Sequence, residues 1–226
     1  MQKFIVKPGG EIHGIIRVPG DKSISHRVVM FGALANGTTK VNGCLEAEDT
    51  LATMSAFKAM GVSIEKNAQD QIVIQGVGLN GLKAPNEPLY IGNSGTTMRL
   101  LAGLMTGQQF STEITGDKSL LRRPMNRVTI PLTMMGAKVL TSETGTPPLV
   151  ILGNRNLHGI NYEMPIASAQ VKSCLLLAGM YANGKTCVIE PSPTRDHTER
   201  LLLGFGYPVE KEGSKVCLIG GGQLHG

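Results

Sequence analysis

The feature that most restricts the fold is a sequence pattern that occurs three times along the 226 residues. Each copy predicts a helix that ends in small residues and a glycine, a strand, a second helix that ends in glycine, and further strands. The glycines that end the first helices are Gly37, Gly107 and Gly184, and those that end the second helices are Gly61, Gly136 and Gly206. Their period of about 70 to 77 residues exceeds the 20 to 50 residues of a solenoid repeat. The pattern therefore predicts three compact units, at approximately residues 21–90, 91–160 and 161–226.

The first helix of each unit is predicted to be buried, because its apolar residues have helical spacing and apolar neighbours as well. These residues are Ile24, Val28, Phe31 and Ala35, then Met98, Leu101, Ala102 and Met105, then Val171, Cys174, Leu175 and Ala178. Short strands are expected at residues 71–75 and 149–152. Pro131 is expected to kink the helix that follows Pro124 or to delay its start. The fold class is mixed α/β.

Composition excludes several classes of protein. No apolar run is long enough to cross a bilayer, and the segment from Met1 to Lys7 lacks the features of a signal peptide, so we expect a cytoplasmic protein without membrane contact. The four cysteines are far apart and form no metal-ligating group with histidine, so we expect buried thiols and neither a metal nor a cofactor. They are Cys44, Cys174, Cys187 and Cys217.

The net charge of +5 favours an anionic partner. Basic residues are scattered rather than clustered, and the chain has no tryptophan on which bases could stack, so nucleic acid is the weaker prediction. A small phosphorylated substrate fits the composition better.

Each first helix is predicted to begin with a polar cluster, at residues 21–25, 92–97 and 167–170. A helix N-terminus offers unpaired N–H groups and partial positive charge, so three of them facing one cleft would bind an anion. Ordinary N-capping explains the same residues, since Ser, Thr and Asn are preferred caps. The residues alone leave both interpretations open.

The stretch from Pro19 to Arg27, PGDKSISHR, combines such a helix start with Lys22, Ser23 and Arg27. It resembles the N-terminal motif of the 5-enolpyruvylshikimate-3-phosphate synthase family, and the resemblance continues along the whole chain. It implies one lobe of the enolpyruvyl transferase fold, with three βαβαββ units in pseudo-threefold arrangement and parallel buried inner helices. The implied substrates are shikimate 3-phosphate and phosphoenolpyruvate, and glyphosate is the implied inhibitor.

The resemblance assigns site residues by their place in matching motifs. Residues implied to bind shikimate 3-phosphate are Lys22, Ser23, Arg27, Ser168, Ala169, Gln170 and Arg195. Residues implied to bind phosphoenolpyruvate are Lys22, Asn93, Gly95, Arg123 and Gln170, with Lys22 serving both substrates as the catalytic lysine. Gly95 implies sensitivity of a complete enzyme to glyphosate, because an added methyl would crowd the inhibitor. Arg99 is expected to be a structural ion-pair partner.

One position departs from many relatives. Ala169 replaces a second serine, and a subgroup with this alanine also has the motif found here at Ser192 to Arg200, in which Arg195 compensates as a phosphate ligand. His197, in the same motif, is expected to belong to a capped, salt-bridged helix start rather than to the site.

The resemblance also implies that the proton-transferring residues lie in a second half absent from these 226 residues. Residues 1–20 are expected to join that second, C-terminal lobe, and residues 21–226 to form the N-terminal lobe. Such a lobe would bind shikimate 3-phosphate without turnover. Two alternatives are a non-catalytic phospho-ligand-binding or assembly module, and a UDP-N-acetylglucosamine enolpyruvyl transferase, although the loop at residues 117–121 lacks that family's reactive cysteine.

Overall fold

The computed structural model of the protein describes residues 3–11, 13–153 and 156–226. The helices are α1 (Lys22–Leu34), α2 (Glu48–Ala59), α3 (Gly95–Thr106), α4 (Asn126–Met134), α5 (Ala169–Gly179) and α6 (His197–Gly204), with a 3₁₀ turn at Leu120–Arg122. The strands are β1 (Asn36–Val41), β2 (Ser63–Lys66), β3 (Ile72–Val77), β4 (Leu89–Tyr90), β5 (Thr112–Thr115), β6 (Lys138–Leu140), β7 (Leu149–Leu152), β8 (Asn161–Glu163), β9 (Lys185–Ile189), β10 (Glu210–Glu212) and β11 (Lys215–Ile219). The mixed α/β class is confirmed.

The strands form three separate sheets of closely similar topology. Their strand orders are β1-β3-β2, β4-β5-β7-β6 and β8-β9-β11-β10. The pairs β4–β5 and β8–β9 are parallel, and the other pairs are antiparallel. In the first sheet, an isolated parallel bridge joins Asn36 of β1 to His225, so the last residues lie where the other two sheets have their first strand. The second and third units thus have the order βαβαββ.

The glycines predicted to end the second helices do so in all three units. Gly61, Gly136 and Gly206 follow the C-caps of α2, α4 and α6 with φ of 89°, 90° and 80°. In each case the next residue donates its N–H five residues back, as in Val62 N to Phe57 O at 3.0 Å. This is the Schellman arrangement, which favours glycine because of the positive φ.

Of the glycines predicted to end the first helices, Gly107 alone is a C-cap, so the prediction is confirmed for α3 and wrong for α1 and α5. Helix α1 ends at Leu34, and Gly37 lies within β1. Gly184 follows α5 by several residues. Gly107 is the C-cap of α3 but has φ of −87°. A Cβ there would come within 2.1 Å of Tyr181 Cγ, so close packing explains this glycine better than backbone conformation.

Helices α1, α3 and α5 are the inner helices, as the apolar spacing predicted. Helices α3 and α5 approach so closely that a Cβ on Gly103 would lie 2.1 Å from the Cys174 carbonyl oxygen. Glycine therefore permits backbone contact between these two helices. Ile24 is an exception to the predicted burial, because its side chain at the start of α1 is 42% exposed.

Pro131 does not delay the start of its helix, which begins at Asn126. The helix continues beyond the proline, because the Pro131 carbonyl oxygen accepts a hydrogen bond from Met135 N at 3.1 Å. The missing N–H of Pro131 removes one helical hydrogen bond only. That loss is compatible with so short a helix.

The prediction of four free thiols was wrong for two cysteines. Cys187 in β9 and Cys217 in β11 are directly opposed in the antiparallel register and form a disulfide with an S–S distance of 2.12 Å. Their separation of 30 residues gives no sign of this pairing, which depends on how the two strands align. Cys174 is a buried thiol, whereas Cys44 is only partly buried.

Near the N-terminus, residues 3–11 and 13–20 form no helix or strand. Several of their apolar side chains are almost fully exposed, namely Phe4, Ile5, Val6, Ile15 and Ile16. None of the helices in the described ranges is long and apolar enough to cross a membrane.

Candidate functional site

The three inner helices begin with the same kind of cap. Asp21 Oδ1 accepts from Ile24 N at 2.8 Å, Ser94 Oγ accepts from Thr97 N at 3.2 Å, and Ser168 Oγ accepts from Val171 N at 3.3 Å. No acidic residue lies in the first turn of α3 or α5, so the positive end of these two helix dipoles is not neutralised from within that turn, whereas the capping carboxylate of Asp21 lies against the start of α1. The capping interpretation is therefore correct for these three residues. An anion site requires further evidence from the surrounding side chains.

A cavity of about 490 Å³ lies at the start of α5. One wall is the segment from Ala167 to Gln170, and the other is the segment from Pro193 to Arg195. Arg195 Nη1 donates a hydrogen bond to Ser23 Oγ at 2.7 Å, which brings the start of α1 to this cavity. Ser23, Ser168, Gln170 and Arg195, predicted from separate motifs, therefore surround one region.

Arg27 lies behind this region and is only 4% exposed. Its guanidinium donates to Thr198 Oγ1 at 2.7 Å, to the Ser23 carbonyl oxygen at 2.9 Å and to Ser173 Oγ at 2.7 Å. Burial lowers the pKa of Arg27 to about 10, and the nearby positive charge of Arg195 acts in the same direction. Arg27 remains charged at neutral pH and connects α1 with α5 and α6.

Gln170 connects α5 with the beginning of α3. Its amide donates to Thr96 Oγ1 at 3.0 Å, and its Oε1 accepts from Arg99 Nη1 at 3.1 Å. Arg99 also donates to the Gly95 carbonyl oxygen at 3.2 Å. The expectation that Arg99 is an ion-pair partner was wrong: within the described residues it forms no salt bridge, and its contacts are with the site.

Two guanidinium groups flank Gly95. A Cβ on this residue would lie 2.9 Å from Nη1 of both Arg99 and Arg123. Burial lowers the pKa of Arg99, and Arg123 contributes through repulsion between like charges. Two cations close to a residue without a side chain create a positive concave surface on which an anion can approach the backbone.

Asn93 and Arg123 form a second part of the same loop. Arg123 Nη2 donates to Asn93 Oδ1, while Asn93 Nδ2 donates to Asp117 Oδ2 at 2.9 Å. Asp117 also accepts from Leu120 N at 2.7 Å, and this backbone hydrogen bond is the main reason that its pKa is lowered. The carboxylate thereby holds Asn93, and through it Arg123, in a fixed position.

Lys22 stands apart from the other predicted ligands. Its ammonium pairs with Asp49, and its side chain is 51% exposed. Within the part of the chain that the structure describes, it forms no hydrogen bond with Ser23, Gly95 or Ser168. It is an accessible cation at the start of α1, with Asp49 as its present partner.

A buried chain of hydroxyl groups behind the loop was not predicted from the sequence. His26 Nδ1 is 2.8 Å from Thr53 Oγ1, which is 2.7 Å from Thr97 Oγ1, which is 2.6 Å from Ser94 Oγ. His26 is fully buried, and this burial lowers its pKa to about 4, so the ring is neutral at pH 7. The threonine run at the start of α3 was the only sequence signal for this connection.

His197 agrees with its predicted structural role. It is the first residue of α6, and the preceding Asp196 forms an i,i+4 ion pair with Arg200 at 3.0 Å. Asp196 itself makes no side-chain cap hydrogen bond, so the predicted cap is absent, while the ion pair of Asp196 with Arg200 and that of Glu199 with Lys172 support the helix start.

A larger cavity, of about 730 Å³, lies at the opposite ends of the inner helices. It is lined by residues that follow them, such as Asn36, Gly107 and Met180, and by none of the predicted ligands. In the described ranges no cluster of His, Cys, Asp and Glu has the arrangement of a metal site. The candidate site is therefore the cluster at the starts of the helices, despite its smaller volume.

Comparison with known proteins finds one family that matches nearly the whole chain. The family model described as EPSP synthase (3-phosphoshikimate 1-carboxyvinyltransferase) matches residues 6–226. The 3-phosphoshikimate 1-carboxyvinyltransferase of Methylococcus capsulatus is 64% identical over 221 residues, which cover 98% of this chain and 51% of that protein. The protein of the same name from Nitrosococcus oceani is 62% identical and matches 99% of this chain and 50% of its own length.

Solved structures give the same result. A structure of EPSP synthase from Acinetobacter baumannii superimposes with a TM-score of 0.91 at 58% identity, covering 94% of this chain and 49% of that one. The chain thus spans about half the length of the relatives that it matches. Its fold is one lobe of the enolpyruvyl transferase fold, and the chain belongs to the EPSP synthase (3-phosphoshikimate 1-carboxyvinyltransferase) family.

Proposed function

We propose that these residues form the shikimate 3-phosphate-binding lobe of an enzyme that transfers the enolpyruvyl group of phosphoenolpyruvate to the 5-hydroxyl of shikimate 3-phosphate. The observation that carries the proposal is the direct contact between ligands predicted from different units. Arg195 Nη1 lies 2.7 Å from Ser23 Oγ, although 172 residues separate them in the sequence. A contact of this kind requires the starts of α1 and α6 to meet at the same cavity.

The cavity at the start of α5 suits the phosphate of shikimate 3-phosphate. Hydroxyl donors are available from Ser168 and Ser23, and Arg195 provides a planar cation that can bind two phosphate oxygens. Ala169 leaves a gap where a second hydroxyl could stand, and the neighbouring Arg195 supports the proposed compensation. Gln170 and Arg27 would contact the remaining polar groups of shikimate 3-phosphate, which are its hydroxyl groups and its carboxylate.

Phosphoenolpyruvate would lie over Gly95, between the guanidinium of Arg123 and the ammonium of Lys22. The absence of a side chain at Gly95 lets an anion approach the start of α3, where backbone N–H groups are unpaired. Asn93 holds Arg123, and Gln170 reaches from the shikimate side. The same surface would admit glyphosate, so the proposal includes glyphosate sensitivity for an enzyme that contains this lobe.

Lys22 is proposed to contact both substrates. In the reaction the 5-hydroxyl oxygen loses its proton and bonds to C2 of phosphoenolpyruvate while C3 gains a proton, and the tetrahedral intermediate then loses phosphate from C2 and a proton from C3. Positive charge near the phosphoenolpyruvate phosphate and carboxylate stabilises both steps. A flexible ammonium can follow both anions, and binding would replace its present pairing with Asp49.

Proton transfer is proposed to depend on residues outside these 226, since the matched relatives are about twice as long. General acid and base groups contribute about 10²-fold to 10⁴-fold to a rate, so the lobe alone should bind substrate with negligible turnover. The exposed apolar residues between positions 3 and 18 are proposed to pack against the other lobe. A cytoplasmic location is part of the same proposal.

Reconstitution tests the proposal. The chain would be mixed with a separately produced second half of the Methylococcus capsulatus relative, and phosphate release from the two substrates would be measured. We expect activity from the mixture and none from either part. Association of the two parts without phosphate release would instead support the assembly-module alternative. The relatives from Methylococcus capsulatus and Nitrosococcus oceani are both named 3-phosphoshikimate 1-carboxyvinyltransferase, which favours this function over the UDP-N-acetylglucosamine alternative.

A further inference from the structure

A fully buried ion cluster lies directly behind the 490 Å³ cavity and takes no part in the proposed ligand contacts. Lys172 of α5 is 0% exposed, and its Nζ lies 3.0 Å from Glu190 Oε2 and 2.6 Å from Glu199 Oε1. The two carboxylates are themselves 5% and 3% exposed. We call these three residues the Lys172 clamp. Burying three charges is costly, and such clusters are often no more stabilising than apolar residues of similar size, so stability alone is a weak explanation.

The two carboxylates stand at opposite ends of one loop. Glu190 directly follows β9, and Glu199 lies in the first turn of α6. The residues between them include Thr194 and Arg195, which form one wall of the cavity. Lys172 therefore holds both ends of the segment that carries Arg195. Thr194 Oγ1 donates to Glu190 Oε1, which extends the clamp to the residue next to Arg195.

The same lysine is tied to the opposite wall. Lys172 is four residues after Ser168 in α5, and its backbone N–H donates to the Ser168 carbonyl oxygen at 3.1 Å. Both walls of the cavity, residues 167–170 and 193–195, are thus connected to Lys172, the first through its backbone N–H and the second through its ammonium group.

The clamp also reaches Arg27. The charge of Glu199 raises the pKa of Arg27, against the lowering effect of burial, so the carboxylate and the guanidinium are electrostatically coupled. Next to Lys172, Ser173 Oγ lies 2.7 Å from Thr198 Oγ1, and both hydroxyls accept from Arg27. Two arginines proposed to bind ligand are therefore positioned by groups adjacent to the clamp.

Resting on the function proposed above, we propose that Lys172, Glu190 and Glu199 are positioning residues that set the width of the phosphate cavity by fixing Arg195 opposite Ser168. They do not touch the ligand. Their role is to hold a guanidinium at hydrogen-bonding distance before the anion arrives, so that binding does not require the loop to become ordered.

The ligand-free chain provides the first test. The Nε–Hε signal of Arg195 would be assigned by NMR and compared between the original chain and a Lys172→Met/Glu190→Met/Glu199→Met variant. Replacing the whole cluster leaves none of its own three charges buried without a partner, so the variant is expected to fold, but the buried Arg27 loses the nearby carboxylate of Glu199. We expect its Arg195 signal to move to the position found in the unfolded chain. An unchanged signal in the folded variant would overturn the proposal.

Affinity provides the second readout. When the Arg195 guanidinium is no longer held in place, its hydrogen bond to the phosphate is weakened. The affinity for shikimate 3-phosphate should then fall by roughly 10-fold to 100-fold. The matched control is Lys185→Met, which removes an exposed ion pair with Glu210 and should change neither readout. If the original chain does not bind shikimate 3-phosphate, the proposed function fails, yet the Arg195 signal still tests the clamp.

A milder variant covers the case in which the triple variant does not fold. Glu190→Gln leaves one carboxylate for one ammonium and preserves the side-chain shape, so the chain should remain folded. It removes the charge that anchors the start of the loop, and we expect a smaller shift of the Arg195 signal in the same direction. A folded Glu190→Gln chain with the original signal and affinity would contradict the clamp.

Discussion

Arg99 Nη1 donates a hydrogen bond to Gln170 Oε1 at 3.1 Å, which joins the inner helix of the second unit to that of the third. The Gln170 amide completes the link by donating to Thr96 Oγ1 at 3.0 Å. Gln170 is therefore held at both of its polar atoms, and it lies between the region proposed for shikimate 3-phosphate and the region proposed for phosphoenolpyruvate. The two proposed regions are therefore adjacent.

Gly95→Ala should weaken binding of phosphoenolpyruvate and glyphosate by roughly 10-fold or more, because the new Cβ would displace both flanking guanidinium ends. The φ of Gly95 is not positive, so alanine fits the backbone, and the free energy of unfolding should not fall. NMR titration of the chain saturated with shikimate 3-phosphate would measure the affinity. The control is Gly204→Ala, because a Cβ added at Gly204 would have no neighbouring atom within 4 Å outside its own helix turn. Equal losses of affinity in the two variants would contradict this account.

Lys22→Met should lower the affinity for shikimate 3-phosphate by roughly 10-fold or more, because a charged hydrogen bond to the ligand is lost. Stability should change by less than about 1 kcal/mol, since the pair with Asp49 is half exposed. Calorimetric titration and urea unfolding would measure the two effects. Lys66→Met removes another exposed ion-paired lysine, and a similar loss of affinity in that control would point to a general charge effect.

Local sequence signals predicted much of the fold. The Schellman glycines Gly61, Gly136 and Gly206 depend only on backbone conformation within a few residues, and they were identified correctly. The inner helices were predicted from apolar spacing for the same reason. Gly107 was identified correctly as the end of α3, but the reason for a glycine there comes from Tyr181, which belongs to another unit.

Contacts between distant residues could not be predicted from the sequence. No local feature of the sequence shows whether Arg99 forms an ion pair or a hydrogen bond with Gln170, because its partner depends on how α3 and α5 pack. The disulfide between Cys187 and Cys217 depends on strand register in the same way. The resemblance to a family supplied the proposed ligand residues but not Lys172, whose proposed role depends on the positions of both of its carboxylate partners.

Acid should destabilise the chain through His26. Its pKa is about 4 in the folded state and 6.5 when exposed, so the unfolded chain takes up the proton first as pH falls. Stability is then lost between pH 6.5 and about 4, with about 2 kcal/mol lost between pH 7 and pH 5. Urea unfolding at the two pH values would show this loss, and His26→Gln should remove it.

The control for this experiment is His13→Gln, because the His13 side chain is 83% exposed. It should keep the full pH dependence of the original chain. A His26→Gln chain with the same loss of stability between pH 7 and pH 5 would show that His26 is not the group responsible.

Thiol titration should distinguish the two pairs of cysteines. The chain purified without reductant and then unfolded should react through two thiols, Cys44 and Cys174, and through four after reduction. In the folded chain both should react slowly, because burial raises the pKa of each thiol. Four reactive thiols without reduction would contradict the Cys187–Cys217 disulfide.

Titration of the ligand-free chain with shikimate 3-phosphate, followed by NMR, tests most directly whether the starts of α1 and α5 and the loop before α6 form one anion site. Shikimate, which lacks the phosphate, is the matched control ligand. We predict saturable shifts at Ser23, Ser168 and Arg195 together with shikimate 3-phosphate, and much weaker shifts with shikimate. No response at millimolar shikimate 3-phosphate, or equal responses to the two ligands, would contradict the account.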